Sequence, residues 1–305
     1  MSRLVQPAAI DTVRHQFAKA NPYFDEHAVV LQNVGQRLLE RLELLNLKPE
    51  HVLELGCRSG YQLSELAQRY PDAQIIGVDP APGFLPSVLP GAQNVWRKWL
   101  RRGRRSAFSC VACDPHKLPF ADQSFDLIVS NLLLPWCHAP HLVFAETVRV
   151  LRSGGAFLFT SAGPDTLHEY RAAWQKVDNY THSFGLIDMH DLGDSMMAAG
   201  FDAPVLDREN LLIQYPSINA LQSELRHLGA ANIAQGRRKG LMSPRVQDLL
   251  AQTDLSGSSA FDVTFELLHG HGWKTQVPLA GRVSDSEYRV SADSLRGSWK
   301  AGSCA

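Results

Sequence analysis

The chain of 305 residues is 45% hydrophobic and 20% charged, the balance of a soluble globular protein with room for one large α/β domain or one domain with an appended lobe. Its formal net charge of −1 gives no global attraction to nucleic acid or membrane, and no apolar run of roughly 18 residues suggests a transmembrane helix. Five irregularly spaced cysteines, and an N-terminus MSRLVQPAAIDTVRHQF without the apolar core of a signal peptide, predict a reducing cytoplasm rather than a disulfide framework.

In chain order, residues 1–50 read as a helical segment, because Val30, Val34, Leu38, Leu42 and Leu45 repeat at helical spacing over 26–45. Residues 51–60, HVLELGCRSG, then give a strand, an acidic strand end at Glu54, a tight turn from Gly56 to Gly60, and the helical run YQLSELAQRY. A strand–glycine turn–helix unit directs free backbone N–H groups at a ligand's polar end. Nineteen residues past Gly60, the strand QIIGVD ends in Asp79, a carboxylate suited to ribose hydroxyls. Together they indicate a cofactor containing a nucleoside.

The turn narrows the choice. A dinucleotide site wants G-x-G-x-x-G, but after Gly56 the next two glycine positions hold Arg58 and Tyr61, and no P-loop ending is present. S-adenosylmethionine carries no phosphate, and its cationic sulfonium suits an acidic strand end such as Glu54.

Further strands are predicted at FSCVACD, FDLIVSN and AFLFTSA, with a helix over 142–151 that Gly154 and Gly155 stop before the next strand. Alternating elements from about His51 to Ala162 define a doubly wound, mostly parallel sheet. Beyond it, Asp165 is a candidate N-cap for a helix holding Leu167, Tyr170, Arg171 and Trp174, and Asp188 caps a helix ending at Gly200. VLDRENLLIQYP and FDVTFELLHGHGW bring the strands to seven, with helices over 217–228 and 243–252 between them. The methyl-donor domain thus spans 51–274, with a lid at about 164–185 after the fifth strand, a helical insertion at about 216–252, and a polar tail, 275–305, read as disordered.

Ligands of an open parallel sheet bind beyond the carboxyl ends of its strands, where Glu54, Gly56, Asp79, Asp114 and Asn131 all fall. The simplest assignment gives Asp79 to the ribose, Asp114 to the adenine amino group and Asn131 to the methionyl end. Asn131 is followed by three leucines rather than Pro-Pro-aromatic, which disfavours an exocyclic nitrogen as methyl acceptor. Cys110 and Cys113 sit in one strand on opposite faces, and His269 and His271 lack a third ligand, so no metal is expected. No G-x-S-x-G elbow supports hydrolase chemistry. The run RKWLRRGRR carries six basic residues in nine, Arg97, Lys98, Arg101, Arg102, Arg104 and Arg105, and either faces water or docks an acidic partner. Arg237, Arg238 and Lys239 make a smaller cluster.

The segments FDEHAVVLQNVGQRLLERL, VLELGCRSG, ACDPHKLPFADQSFDLIVSNLLLPWC, GPDTLHEYRAAW, IDMHDLGDSMMAAGF and HGHGWK resemble the malonyl-acyl-carrier-protein O-methyltransferases of biotin synthesis, over about Phe17 to Lys274. The resemblance implies a seven-stranded Rossmann-like sheet of the class I methyltransferases. It also implies methyl transfer from S-adenosylmethionine to the free carboxylate of a malonyl thioester on acyl carrier protein. On this reading Arg171 grips that carboxylate, Trp136 and Phe24 stand near the reacting groups, and Arg97 to Arg105 meet the acidic carrier. Neither nucleic acid nor membrane is implied as a partner. The chain departs from the family at Arg58, where a glycine is usual, and at Phe24, where the family tends to have Tyr. As a cofactor-site residue, Arg58 could pair with the cofactor's carboxylate or crowd the methionine pocket. Those departures keep two alternatives open: a diverged protein arginine hydroxylase resembling a mitochondrial complex I assembly factor, or a non-catalytic cofactor-binding homologue.

Overall fold

The computed structural model describes residues 10–20, 23–85, 108–183, 185–234, 236–238, 240, 242–253, 260–275, 282–284 and 287–288. Seven strands, β1 (His51–Leu55), β2 (Gln74–Asp79), β3 (Phe108–Ala112), β4 (Phe125–Asn131), β5 (Leu151–Ala162), β6 (Phe201–Tyr215) and β7 (Phe261–Lys274), form one sheet in the order β3-β2-β1-β4-β5-β7-β6. The first five are parallel and β7 runs antiparallel between β5 and β6. Strand order reverses at β1 and β4, which opens a crevice at their carboxyl ends.

Nine helices follow in chain order among the described residues: α1 (Ile10–Ala20), α2 (Phe24–His27), α3 (Val29–Arg41), α4 (Tyr61–Arg69), α5 (Pro140–Val150), α6 (His168–Gln175), α7 (Met189–Ala199), α8 (Ile218–His227) and α9 (Pro244–Gln252). Helices α3 and α4 cover one face of the sheet, burying Leu38, Leu39, Leu63 and Leu66 against Val52, Ile75, Leu127 and Val129. Helices α5 and α7 cover the other with Val143, Phe144, Leu192 and Met196 against Leu53, Ile128, Phe157 and Phe159. Central strands buried on both faces explain their nearly unbroken apolar sequence; each such side chain contributes roughly 1.5–3 kcal/mol when buried. Phe157 stacks on Phe201 at 5.7 Å between ring centres, and Phe159 lies so close to Gly270 that a Cβ there would stand 2.3 Å from the ring. A side chain at 270 would therefore force β5 and β7 apart.

Several boundaries differ from the sequence-based expectation. The 26–45 helix is broken into α2 and α3, with a single tighter turn at Leu42–Leu44. Gly154 and Gly155 do not stop a helix: α5 ends at Val150, the strand begins at Leu151, and both glycines lie in a bulge where β5 loses register with β4. Asp165 does not cap α6, which starts at His168 after Leu167 in the left-handed region (φ 61°); Asp165 instead lies in the preceding turn. Asp188 does cap α7, accepting the His190 N–H at 2.8 Å, and Gly200 ends it at φ 99°. Most of the tail, read from sequence as disordered, lies outside the described residues; within it Arg282–Ser284 and Glu287–Tyr288 pair as a short antiparallel ladder. Among the described residues no helix is long and apolar enough to cross a membrane.

Candidate active site

The turn after β1 is held on β2. The N–H groups of Gly56 and Cys57 both donate to the Val78 carbonyl, at 2.8 and 3.0 Å, and the N–H of Arg58 donates to Asp79 Oδ2 at 2.9 Å. Gly56 sits at φ 79° and Gly60, just before α4, at φ 83°; a Cβ on Gly56 would meet Leu133 at 3.2 Å. Arg58 adopts the left-handed region at φ 44°, a conformation that favours glycine. Asp79 is therefore first a clamp on this turn and on the next, since Oδ1 accepts the Ala81 N–H at 2.7 Å. Its carboxylate still borders the crevice beside Gly56, Pro80 and Trp136.

The strand-end residues converge. Glu54, Gly56, Arg58, Asn131 and Phe24 border one small space, and Gly56, Arg58, Asp79, Phe17 and Trp136 border another. Glu54 is buried, and its Oε2 has no hydrogen-bond partner. Burial pushes its carboxyl up to about 8, against the opposing charge of Arg58 and with the help of Cys110 and Asp79. Burial likewise lowers the Arg58 guanidinium, with Asp79 and Glu54 holding it back. Asp79 is raised by burial, moderated by the two backbone N–H groups it accepts.

Two assignments change. The Asn131 side chain does not face the ligand crevice with free groups: Nδ2 donates to the Leu31 carbonyl at 2.9 Å and Oδ1 accepts the Thr160 hydroxyl at 2.7 Å, tying α3 to β5. What Asn131 offers the crevice is its carbonyl, which Arg58 Nη1 already uses at 2.9 Å. Asp114 lies just past β3, its Oδ1 taken by the N–H and Nδ1 of His116 at 2.9 and 2.6 Å, and it is absent from the walls of both small spaces. Arg171 is braced within its own segment, its guanidinium donating to the Thr166 and Pro164 carbonyls. It does line a cavity of about 360 Å³, together with Arg58, Leu132, Trp136, Trp174 and Arg226. The walls are largely apolar, and Arg237 and Arg238 of the smaller basic cluster also border it.

Sequence reasoning missed the contribution of α1. Phe17 packs edge-on to Trp136 at 5.0 Å and faces the Arg58 guanidinium at 6.0 Å, so α1 roofs the crevice; Val13 and Phe17, four apart, were the signal. It also missed the stack of Trp174 on His182, ring centres 3.7 Å apart, with His182 bonded to Asp178 at 2.7 Å, in the cavity wall. The basic run 97–105 lies outside the described residues.

This strand order, with β7 antiparallel between β5 and β6, is the Rossmann-like fold of class I methyltransferases, and the methyltransferase domain family matches residues 53–159. The YcgJ protein of Bacillus subtilis shares the fold, with a TM-score of 0.54 and 15% identity over 79% of this chain and 99% of that one. Malonyl-[acyl-carrier protein] O-methyltransferase of Methylovorus sp. is 36% identical, covering 92% of this chain and 95% of the relative. The protein of that name from Halorhodospira halophila is 38% identical over 86% of each. The chain belongs to the malonyl-[acyl-carrier protein] O-methyltransferase family and is a methyltransferase of the S-adenosylmethionine-dependent class.

The described residues suit that cofactor in chemistry. An unpartnered buried carboxylate at Glu54, two strand-end carbonyls and aromatic walls from Phe17, Phe24 and Trp136 make a cradle for a cation. Arg58 itself now fills that cradle.

Proposed function

We propose that the protein methylates the free carboxylate of a malonyl thioester carried by acyl carrier protein, giving the ester that opens pimeloyl, and so biotin, synthesis in the cytoplasm. The observation that carries this reading is the 360 Å³ apolar cavity that joins Arg58 of the turn after β1 and Leu132 just past β4 to the cationic wall of Arg171 and Arg226. Glu54, the Gly56–Gly60 turn, Asp79 and the Asn131 carbonyl would hold S-adenosylmethionine. That cofactor supplies an electrophilic methyl group on a sulfonium.

A malonyl carboxylate is ionised near neutral pH, so no side chain need remove a proton. The protein's share is alignment and exclusion of water. Leu132, Trp136, Leu167 and Phe265 strip water from the cavity, and Arg171 offers the rest of its planar fork to the carboxylate. Helix α6, which carries Arg171, sits in the segment read as a lid. The acidic carrier would dock on Arg97, Lys98, Arg101, Arg102, Arg104 and Arg105, a run identified from charge alone. Supplying this chain to a biotin-requiring bacterium that lacks its own carboxyl methylase tests the proposal. Growth without biotin is expected; continued dependence with the protein present and folded would overturn it.

A further inference from the structure

The feature that the proposed reaction does not use is the placement of the Arg58 side chain. Its guanidinium is buried at the carboxyl end of β4, with Nη1 donating to the Asn131 carbonyl and Nη2 to the Leu132 carbonyl, both at 2.9 Å. Phe17 and Phe24 face it at 6.0 and 5.9 Å. Neither Glu54 nor Asp79 forms a salt bridge with it, although each borders one of the two small spaces that Arg58 also lines. The cation is thus held by neutral carbonyl dipoles and ring faces, the partners that a ligand's ammonium would also choose.

Arg58 also borders the 360 Å³ cavity, but the spaces it shares with Asp79 and with Glu54 are small. The spaces on either side of the guanidinium measure about 20 and 30 Å³, enough for a water molecule or two and far below a ligand site of ~300 Å³ or more. The backbone aims the side chain inward, because Asp79 anchors the Arg58 N–H and the residue sits at φ 44°.

We infer that Arg58 is a built-in occupant of the subsite for the cofactor's amino-acid end, so that a nucleoside ligand carrying an ammonium there binds only after the guanidinium swings away. The inference rests on the crevice being a cofactor site. It makes Arg58 a residue that discriminates between ligands: those with the amino-acid end compete with it, and those without do not. A ligand that binds only a minor, opened population has its affinity reduced by that population's fraction. The alternative role, pairing with a ligand carboxylate, is disfavoured because both arms of the guanidinium are already spent on the Asn131 and Leu132 carbonyls.

Isothermal calorimetry on the full chain and on Arg58→Gly, with S-adenosylhomocysteine and with 5′-methylthioadenosine, tests this. The first probe has the amino-acid end and the second lacks it. Removal of the side chain should tighten S-adenosylhomocysteine about tenfold or more, while 5′-methylthioadenosine changes by less than about threefold. Arg58→Asn, which tolerates the left-handed region and cannot span both carbonyls, should give the same ordering if the glycine variant fails to fold. Unchanged or weakened S-adenosylhomocysteine binding, with 5′-methylthioadenosine still bound, overturns the inference and leaves the cofactor site standing. Binding of neither probe to any variant overturns the cofactor reading, and the inference with it.

Discussion

Asp79 Oδ2 accepts the main-chain N–H of Arg58 at 2.9 Å, and this bond joins the end of β2 to the turn that leaves β1. The same carboxylate holds Ala81 at 2.7 Å, so two backbone donors depend on one side chain. Asp79→Ala should lower stability by about 1–3 kcal/mol, because it leaves buried N–H groups unpaired. Denaturant unfolding measures this; Asp79→Asn, which keeps an acceptor oxygen, should lose less. Equal stability in all three proteins would mean that the turn is held by other contacts.

Glu54 predicts a pH dependence with a definite sign. Its folded carboxyl is pushed up to about 8 from an ordinary 4.5, chiefly by burial, so the folded state binds a proton that the unfolded chain has released. The stability it contributes is complete below the ordinary value and is lost as pH rises toward the folded one. Without ligand, Tm should therefore fall more steeply for wild type than for Glu54→Gln across this window. Parallel Tm curves would show that Glu54 titrates normally.

Arg171 is tested by its geometry rather than by its charge. Its guanidinium is braced on the Thr166 and Pro164 carbonyls while lining the cavity. Arg171→Ala should cut kcat/KM for the malonyl thioester by about a hundredfold, and Arg171→Lys should recover little because a point charge cannot replace a fork. Full recovery by lysine would reduce the role to simple charge attraction.

Carrier docking separates from chemistry by choice of substrate. Reversing Arg101, Arg102 and Arg104 to Glu should raise KM for malonyl-acyl carrier protein by about tenfold at low salt, with a smaller difference as salt rises. A malonyl thioester of a short pantetheine analogue should react as before. An equal loss on both substrates would assign the run to folding instead.

Much of the fold was legible because it rests on short-range patterns. The apolar runs at 52–55 and 127–129 had to be central strands, and Asp188 with Gly200 bracketed α7 closely. Topology also draws Glu54, Gly56, Asp79 and Asn131 to neighbouring spaces, whereas Asp114, just past β3, is turned to His116 instead. Asn131 was misread because its partners, Leu31 and Thr160, come from α3 and β5 at distances in sequence that no local pattern encodes. The bulge at Gly154 and Gly155 was misread because glycine after a helical run signals a stop and a strand irregularity equally well. Phe17 was invisible as a site residue because its role depends on where α1 lies against Trp136.

The central claim is methyl transfer to a carboxylate, and it is tested most directly by mass spectrometry of malonyl-acyl carrier protein after incubation with the purified protein and S-adenosylmethionine. The account predicts a mass gain of one methyl group on the malonyl moiety, removed by mild base as an ester would be. A carrier whose mass is unchanged, or one that gains oxygen instead, would contradict it.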